Sequence, residues 1–108
     1  MTVYELLKSE HFSPVVCPEA DREVTGCYIG DLLSWVMGKA SSGDCWITIM
    51  SNINTLAVAT LTDVACIVLA EGVTLEEEVL EAAKNKEINV VSTPLSAYEA
   101  ALKISEFI

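Results

Sequence analysis

Ala65-Cys66-Ile67-Val68-Leu69-Ala70, followed by Glu71-Gly72 and then by a helical pattern from Leu75 to Lys86, decides the fold class of this chain. A short apolar run rich in Ile and Val, bounded by turn residues and joined to the next run by a helix, reads as a strand buried on both faces of a parallel sheet. The same beat occurs on either side. Trp46 to Met50 precedes the polar loop Ser51-Asn52-Ile53-Asn54 and a short helix from Asn54 or Thr55 to Thr60. Ile88 to Val91 precedes Ser92-Thr93-Pro94 and a helix that begins near Leu95 and ends at Ser105. The expected fold is a single α/β domain with a mainly parallel sheet flanked by helices.

Outward from that centre, Thr74 and Glu77 have the spacing of a capping box for the helix Leu75 to Lys86. Glu76, Glu77 and Glu78 crowd its positive end while Lys84 and Lys86 sit near its negative end, so the acidic run reads as a helix stabiliser. Ser96 and Glu99 repeat the capping spacing. Towards the N-terminus, Glu23 to Ile29 reads as a further strand, and Asp31 as the cap of a helix that carries Leu32, Leu33, Trp35 and Val36 and ends at Gly38. Phe12 to Asp21 holds Pro14 and Pro18 and reads as an extended connection after a short helix capped by Thr2. These boundaries divide the chain into an N-terminal helix and extended arm, residues 1–20, and an α/β domain, residues 21–108.

Composition narrows the function. Of 108 residues, 52% are hydrophobic, enough for one core, and no stretch reaches the roughly 18 consecutive apolar residues of a membrane helix. The N-terminus lacks the order of a signal peptide, so a cytoplasmic protein with no membrane partner is expected. Sixteen acids against six bases give a net charge of −10, which repels a phosphate backbone and argues against nucleic acid as a partner. Cys17, Cys27, Cys45 and Cys66 have no CxxC spacing and His11 is the single histidine, so reduced thiols, no metal site and no cofactor are expected. No GxxxxGK[ST], GxGxxG, GxSxG or HExxH pattern occurs, and no catalytic residue is assigned.

Parallel strands with right-handed crossovers share one carboxyl edge, and ligands of open α/β sheets settle outside that edge. The polar residues at those exits are Ser51, Asn52, Asn54, Glu71, Ser92 and Thr93, which form the expected ligand-binding set. Asn can equally satisfy loop amides or cap a helix, and Ser92-Thr93-Pro94 can be a plain strand-to-helix turn.

Val24-Thr25-Gly26-Cys27-Tyr28-Ile29-Gly30-Asp31-Leu32-Leu33, the loop Ser51-Asn52-Ile53-Asn54, the strand Ala65 to Leu69 and Val90-Val91-Ser92-Thr93-Pro94 together resemble a DRTGG domain. The resemblance runs from Glu23 to near Lys103. It implies an α/β module similar to the N-terminal domain of bacterial HPr kinase/phosphorylase, a domain that elsewhere accompanies phosphate acetyltransferases and some inorganic pyrophosphatases. Such a module is an accessory, often dimer-forming unit. Here Ser51-Asn52-Ile53-Asn54 stands where the family's name-giving signature is expected, and the kinase half with its phosphate loop is absent. The leading expectation is therefore a non-catalytic, homodimeric regulatory or sensing module, with a nucleotide-like or small anionic ligand at the strand exits. The alternative is a ligand-free protein-interaction module whose apolar surface, with Trp35, Val36 and Tyr28, forms the dimer or docks a protein partner. An enzyme working through Asp31, Glu71 or a cysteine is a third reading.

Overall fold

The apolar runs become the middle of one sheet. The computed structural model describes residues 1–108. Its elements are α1 (Val3–Leu6), β1 (Ser13–Val16), β2 (Gly26–Ile29), α2 (Leu33–Lys39), β3 (Asp44–Thr48), α3 (Ile53–Thr62), β4 (Cys66–Leu69), α4 (Glu77–Asn85), β5 (Val90–Ser92) and α5 (Ala97–Ser105). The five strands form a single sheet in the order β1-β5-β4-β3-β2. Strands β2 to β5 lie side by side in chain order and are all parallel, while β1 closes one edge antiparallel to β5. The α/β, mainly parallel architecture read from the sequence is the one observed.

Each crossover steps one strand in the same direction, and right-handed crossovers of that kind put their helices on one face. Thus Val36 of α2, Leu56 and Ala59 of α3, and Val79 and Ala83 of α4 pack against Trp46, Ile67, Leu69 and Val90. On the other face α1 and α5 supply Val3, Leu6, Ala100 and Ile104 to cover Cys45, Ile47, Cys66, Val68 and Val91. Both faces of β3 and β4 are therefore buried, which is why those segments read as unbroken apolar runs rather than alternating ones. Fully burying a side chain such as Leu69 contributes about 1.5–3 kcal/mol.

Several local readings are corrected. The segment Phe12 to Asp21 is not only a connection: Ser13–Val16 is an edge strand whose register to β5 shifts between Pro14 and Val16. Pro14 lacks an N–H, and edge strands and bulges are where a sheet tolerates it. The preceding arm packs on its own sheet, through Val3, Leu6 and Phe12 in the core and through backbone bonds from Val3 N to Arg22 O and from Val24 N to Met1 O. That last bond draws Val24 out of the sheet, so β2 begins only at Gly26, not at Glu23.

Helix α4 begins at Glu77 without a side-chain cap, not at Leu75 with a capping box from Thr74. Val73 and Leu75 are both packed against the helix-side core, and seating them keeps the chain before Glu77 out of the helix. Asp31 is not a cap either. Its Oδ1 accepts from Thr48 Oγ1 at 2.8 Å and from Ile49 N at 3.0 Å, tying the ends of β2 and β3, while Leu32 precedes α2 as the N-cap residue. Gly38 lies inside α2, which ends at Lys39 with Ala40 as its C-cap. Val36 is wholly buried, so it belongs to the core and not to the apolar surface. The Ser96–Glu99 capping box forms as its spacing predicts, and the expected Thr2 cap of α1 is completed by Glu5 into a second capping box.

Candidate functional site

Ligand crevices in open α/β sheets arise where successive crossovers leave a strand edge towards opposite faces. Strands β2 to β5 run without reversal, so the change of face comes only after β5, where α5 crosses to the far side. That gap, between the exits of β4 and β5, is closed by the chain itself. Glu71 N donates to Leu95 O at 2.9 Å, Gly72 N to Thr93 O at 3.0 Å, and Thr93 N to Leu69 O at 2.9 Å. Thr93 is 2% exposed and its Oγ1 accepts from Leu95 N at 3.2 Å, so its hydroxyl serves the turn. Ser92 is half-buried beside it, and Glu71 points outward from a left-handed backbone, φ 60°.

The open concavity lies one strand over, between the amino ends of α3 and α4. Ser51, Asn52, Ile53, Glu76, Glu78 and Val79 line a groove of about 240 Å³. Of the residues expected from the sequence it gathers Ser51 and Asn52; Asn54 is exposed one position further along α3, and Glu71, Ser92 and Thr93 lie outside the lining. Glu76, Glu78, Ile53 and Val79 are lining residues that strand-exit reasoning missed. The signal available was the acidic run Glu76-Glu77-Glu78 at the start of α4, which the helix dipole alone explained.

Asn52 is the N-cap of α3, its Oδ1 accepting from Thr55 N at 3.2 Å. Its Nδ2 donors have no protein partner. The first turn of α3 presents further N–H groups, and the carboxylates of Glu76 and Glu78 are acceptors on the opposite wall. No basic residue lines the groove. It therefore combines amide donors on one side with carboxylate acceptors on the other, a pattern that suits hydroxyl and amino groups better than a bare phosphate.

A second concavity, of about 190 Å³, sits at the opposite edge of the sheet and holds Arg22, Asp63, Glu19, Lys86, Glu87 and Asn89 among its lining. Its buried polar groups are used internally. Arg22 donates to Asp63 O at 2.7 Å and pairs with its carboxylate at 3.0 Å, closing the carboxyl end of α3. The hydrogen bond from Ser42 Oγ, at 2.6 Å, and then the Arg22 guanidinium hold the Asp63 carboxyl below its ordinary pKa. Asn89, 4% exposed, has its side-chain amide fully engaged with Glu19 and Ala65.

The architecture and the edge geometry can be set against known proteins. The model of the DRTGG domain family matches residues 15–107. The chain belongs to the DRTGG domain family. This DRTGG domain also shares its fold with a solved structure, the CBS and DRTGG domains of the regulatory region of Clostridium perfringens pyrophosphatase complexed with the activator diadenosine tetraphosphate. The TM-score is 0.67 at 18% identity, over 93% of this chain and 43% of that one, so the DRTGG domain here spans less than half of its structural relative. No curated protein matches the chain. No helix is long and apolar enough to cross a membrane.

Proposed function

We propose that this DRTGG domain is a non-catalytic regulatory module that senses a nucleotide-like ligand in the groove between the amino ends of α3 and α4. The observation that carries this reading is the pairing, in one concavity, of free Asn52 amide donors with the carboxylates of Glu76 and Glu78. Carboxylates accept from ribose hydroxyls or an exocyclic amine, whereas the amino end of α3 favours the anionic end of the ligand. With two carboxylates and no base in the groove, the sugar and base belong inside it and the phosphates at its α3 side. The activator bound by the pyrophosphatase regulatory region, a dinucleoside polyphosphate, is of this chemical class.

Calorimetric titration of the purified chain with adenine and guanine nucleotides and with dinucleoside polyphosphates tests this. Saturable binding that weakens about tenfold in Asn52→Ala, equivalent to about 1.4 kcal/mol, is expected. Binding that ignores Asn52→Ala and Glu78→Gln alike, or none at millimolar ligand, refutes it.

A second reading has its own observation. Helices α2 and α3 carry a single charged residue between them, Lys39, in a chain of net charge −10. Their outer surface leaves Trp35 59% and Leu61 72% exposed, with Leu32 and Ile53 also open. Two copies can meet on such a surface without like-charge repulsion, which supports a homodimer through the helix layer. Sedimentation should then give a dimer that Trp35→Glu converts to monomer; a wild-type monomer at micromolar concentration discards this reading.

A further inference from the structure

All four cysteines are free, and three of them stand in one row across the sheet. Cys27 of β2 is in register with Cys45 of β3, and Cys45 with Cys66 of β4. Residues in register on neighbouring strands project to the same face, here the face covered by α1 and α5. Cys45 and Cys66 are wholly buried, with their sulfurs 3.4 Å apart, while Cys27 lies exposed on the outermost strand. The arrangement runs from a partly exposed thiol at the sheet edge to a buried dithiol.

We infer that Cys45 and Cys66 form a reversible disulfide, reached from solvent by thiol–disulfide exchange through Cys27. Neighbouring strands are about 4.8 Å apart, inside the 4.4–6.8 Å span of Cα separations that disulfides bridge. The two sulfurs must close from 3.4 Å to the bonded distance of about 2.05 Å, a movement within reach of side-chain rotation and slight strand adjustment.

The oxidant is a low-molecular-weight disulfide, RSSR. Cys27 sulfur attacks it, forming a Cys27–SR mixed disulfide and releasing one RSH. Cys45 sulfur then displaces the second RSH to give Cys27–Cys45. Finally Cys66 sulfur attacks Cys45, and the electron pair and a proton return to Cys27 as its thiol. The two buried thiols have lost two electrons and two protons, and RSSR has become two RSH. Although the residue is exposed, partial desolvation of its sulfur, with Cys45 and Asp44 beside it, pushes the Cys27 pKa up to about 12, and attack requires thiolate, so the exchange is slow at neutral pH.

The test is incubation of the folded chain with excess glutathione disulfide, followed by thiol counting under denaturing conditions and peptide mapping without reduction. The four thiols of the sequence should fall by two, the link should map to Cys45–Cys66, and dithiothreitol should restore all four. Cys27→Ser, an exposed change that leaves the buried pair intact, should slow formation of that link at least tenfold. Cys66→Ala should stop at Cys27–Cys45. A wild-type product that ends as a Cys27 mixed disulfide overturns the inference, and a Cys27→Ser protein that oxidises at the wild-type rate overturns the relay.

Discussion

Replacing Asn89 by Ala should cost about 2–5 kcal/mol of folding stability. The side chain is 4% exposed and makes three hydrogen bonds: Nδ2 donates to Glu19 O at 2.8 Å and to Ala65 O at 3.0 Å, and Oδ1 accepts from Glu19 N at 3.0 Å. Ala65 is buried, so its orphaned carbonyl bears a desolvation cost of about 1–3 kcal/mol. The two Glu19 groups lie nearer the surface, where water replaces part of what is lost, and about 0.5–1 kcal/mol each is appropriate. For a domain of this size each kcal/mol lowers the melting midpoint by roughly 4–8 °C, so a drop of at least about 8 °C is expected.

The assay is urea unfolding at pH 7, read at constant m-value, for the wild type, Asn89→Ala and Asn89→Asp. The Asp variant keeps an acceptor for Glu19 N but sets a carboxylate against two carbonyl oxygens. It should lose at least as much at pH 7 and recover part of the loss as pH falls, because protonation gives the introduced carboxyl a donor. Losses below about 1 kcal/mol in both variants would refute the claim that this amide ties the N-terminal arm to the sheet.

Four further outcomes follow from the geometry. Asn52→Ala removes the cap of α3 and should cost about 1 kcal/mol in urea unfolding, while Asn52→Asp should hold stability near wild type. Gly43 sits at φ +87°, and an added Cβ would meet Thr25 Oγ1; Gly43→Ala should therefore lose at least about 1 kcal/mol, and Thr25→Ala in the same chain should recover part of it. Glu5, Asp63 and Glu99 have depressed pKa values, from the hydrogen bonds of Thr2, of Ser42 and Arg22, and of Ser96 respectively. Their contribution is present above the ordinary carboxylate values of 3.8–4.5 and is lost as pH falls through the lower folded values, so Asp63→Asn should flatten the acid limb of a stability–pH curve. Cys17, Cys27 and Cys66 run the other way: burial is the first cause for Cys17 and Cys27, and the hydrogen bond with Cys45 for Cys66. Stability should hold below pH 9.0 and decline as pH rises towards about 12, and Cys27→Ser should shallow that decline.

The sequence by itself determined the class of fold, because a strand buried on both faces must be apolar throughout, and Ile67-Val68-Leu69 and Val90-Val91 announce that burial without reference to any partner. It also determined the amino ends of α1 and α5, since an N-cap contact joins residues three apart. What it left undecided depends on residues distant in the chain. Strand β1 exists only because β5, more than seventy positions later, offers an edge, and α4 starts late only because Val73 and Leu75 are seated in a core built by other elements. The candidate site divides the same way. Asn52 was legible as a polar cap at a strand exit, but the glutamates facing it come from a different crossover, and the closure of the Ser92–Thr93 exit comes from backbone bonds to Leu69 and Gly72. The thiol row is wholly tertiary, for it is the parallel register of β2, β3 and β4 that aligns cysteines 18 and 21 positions apart.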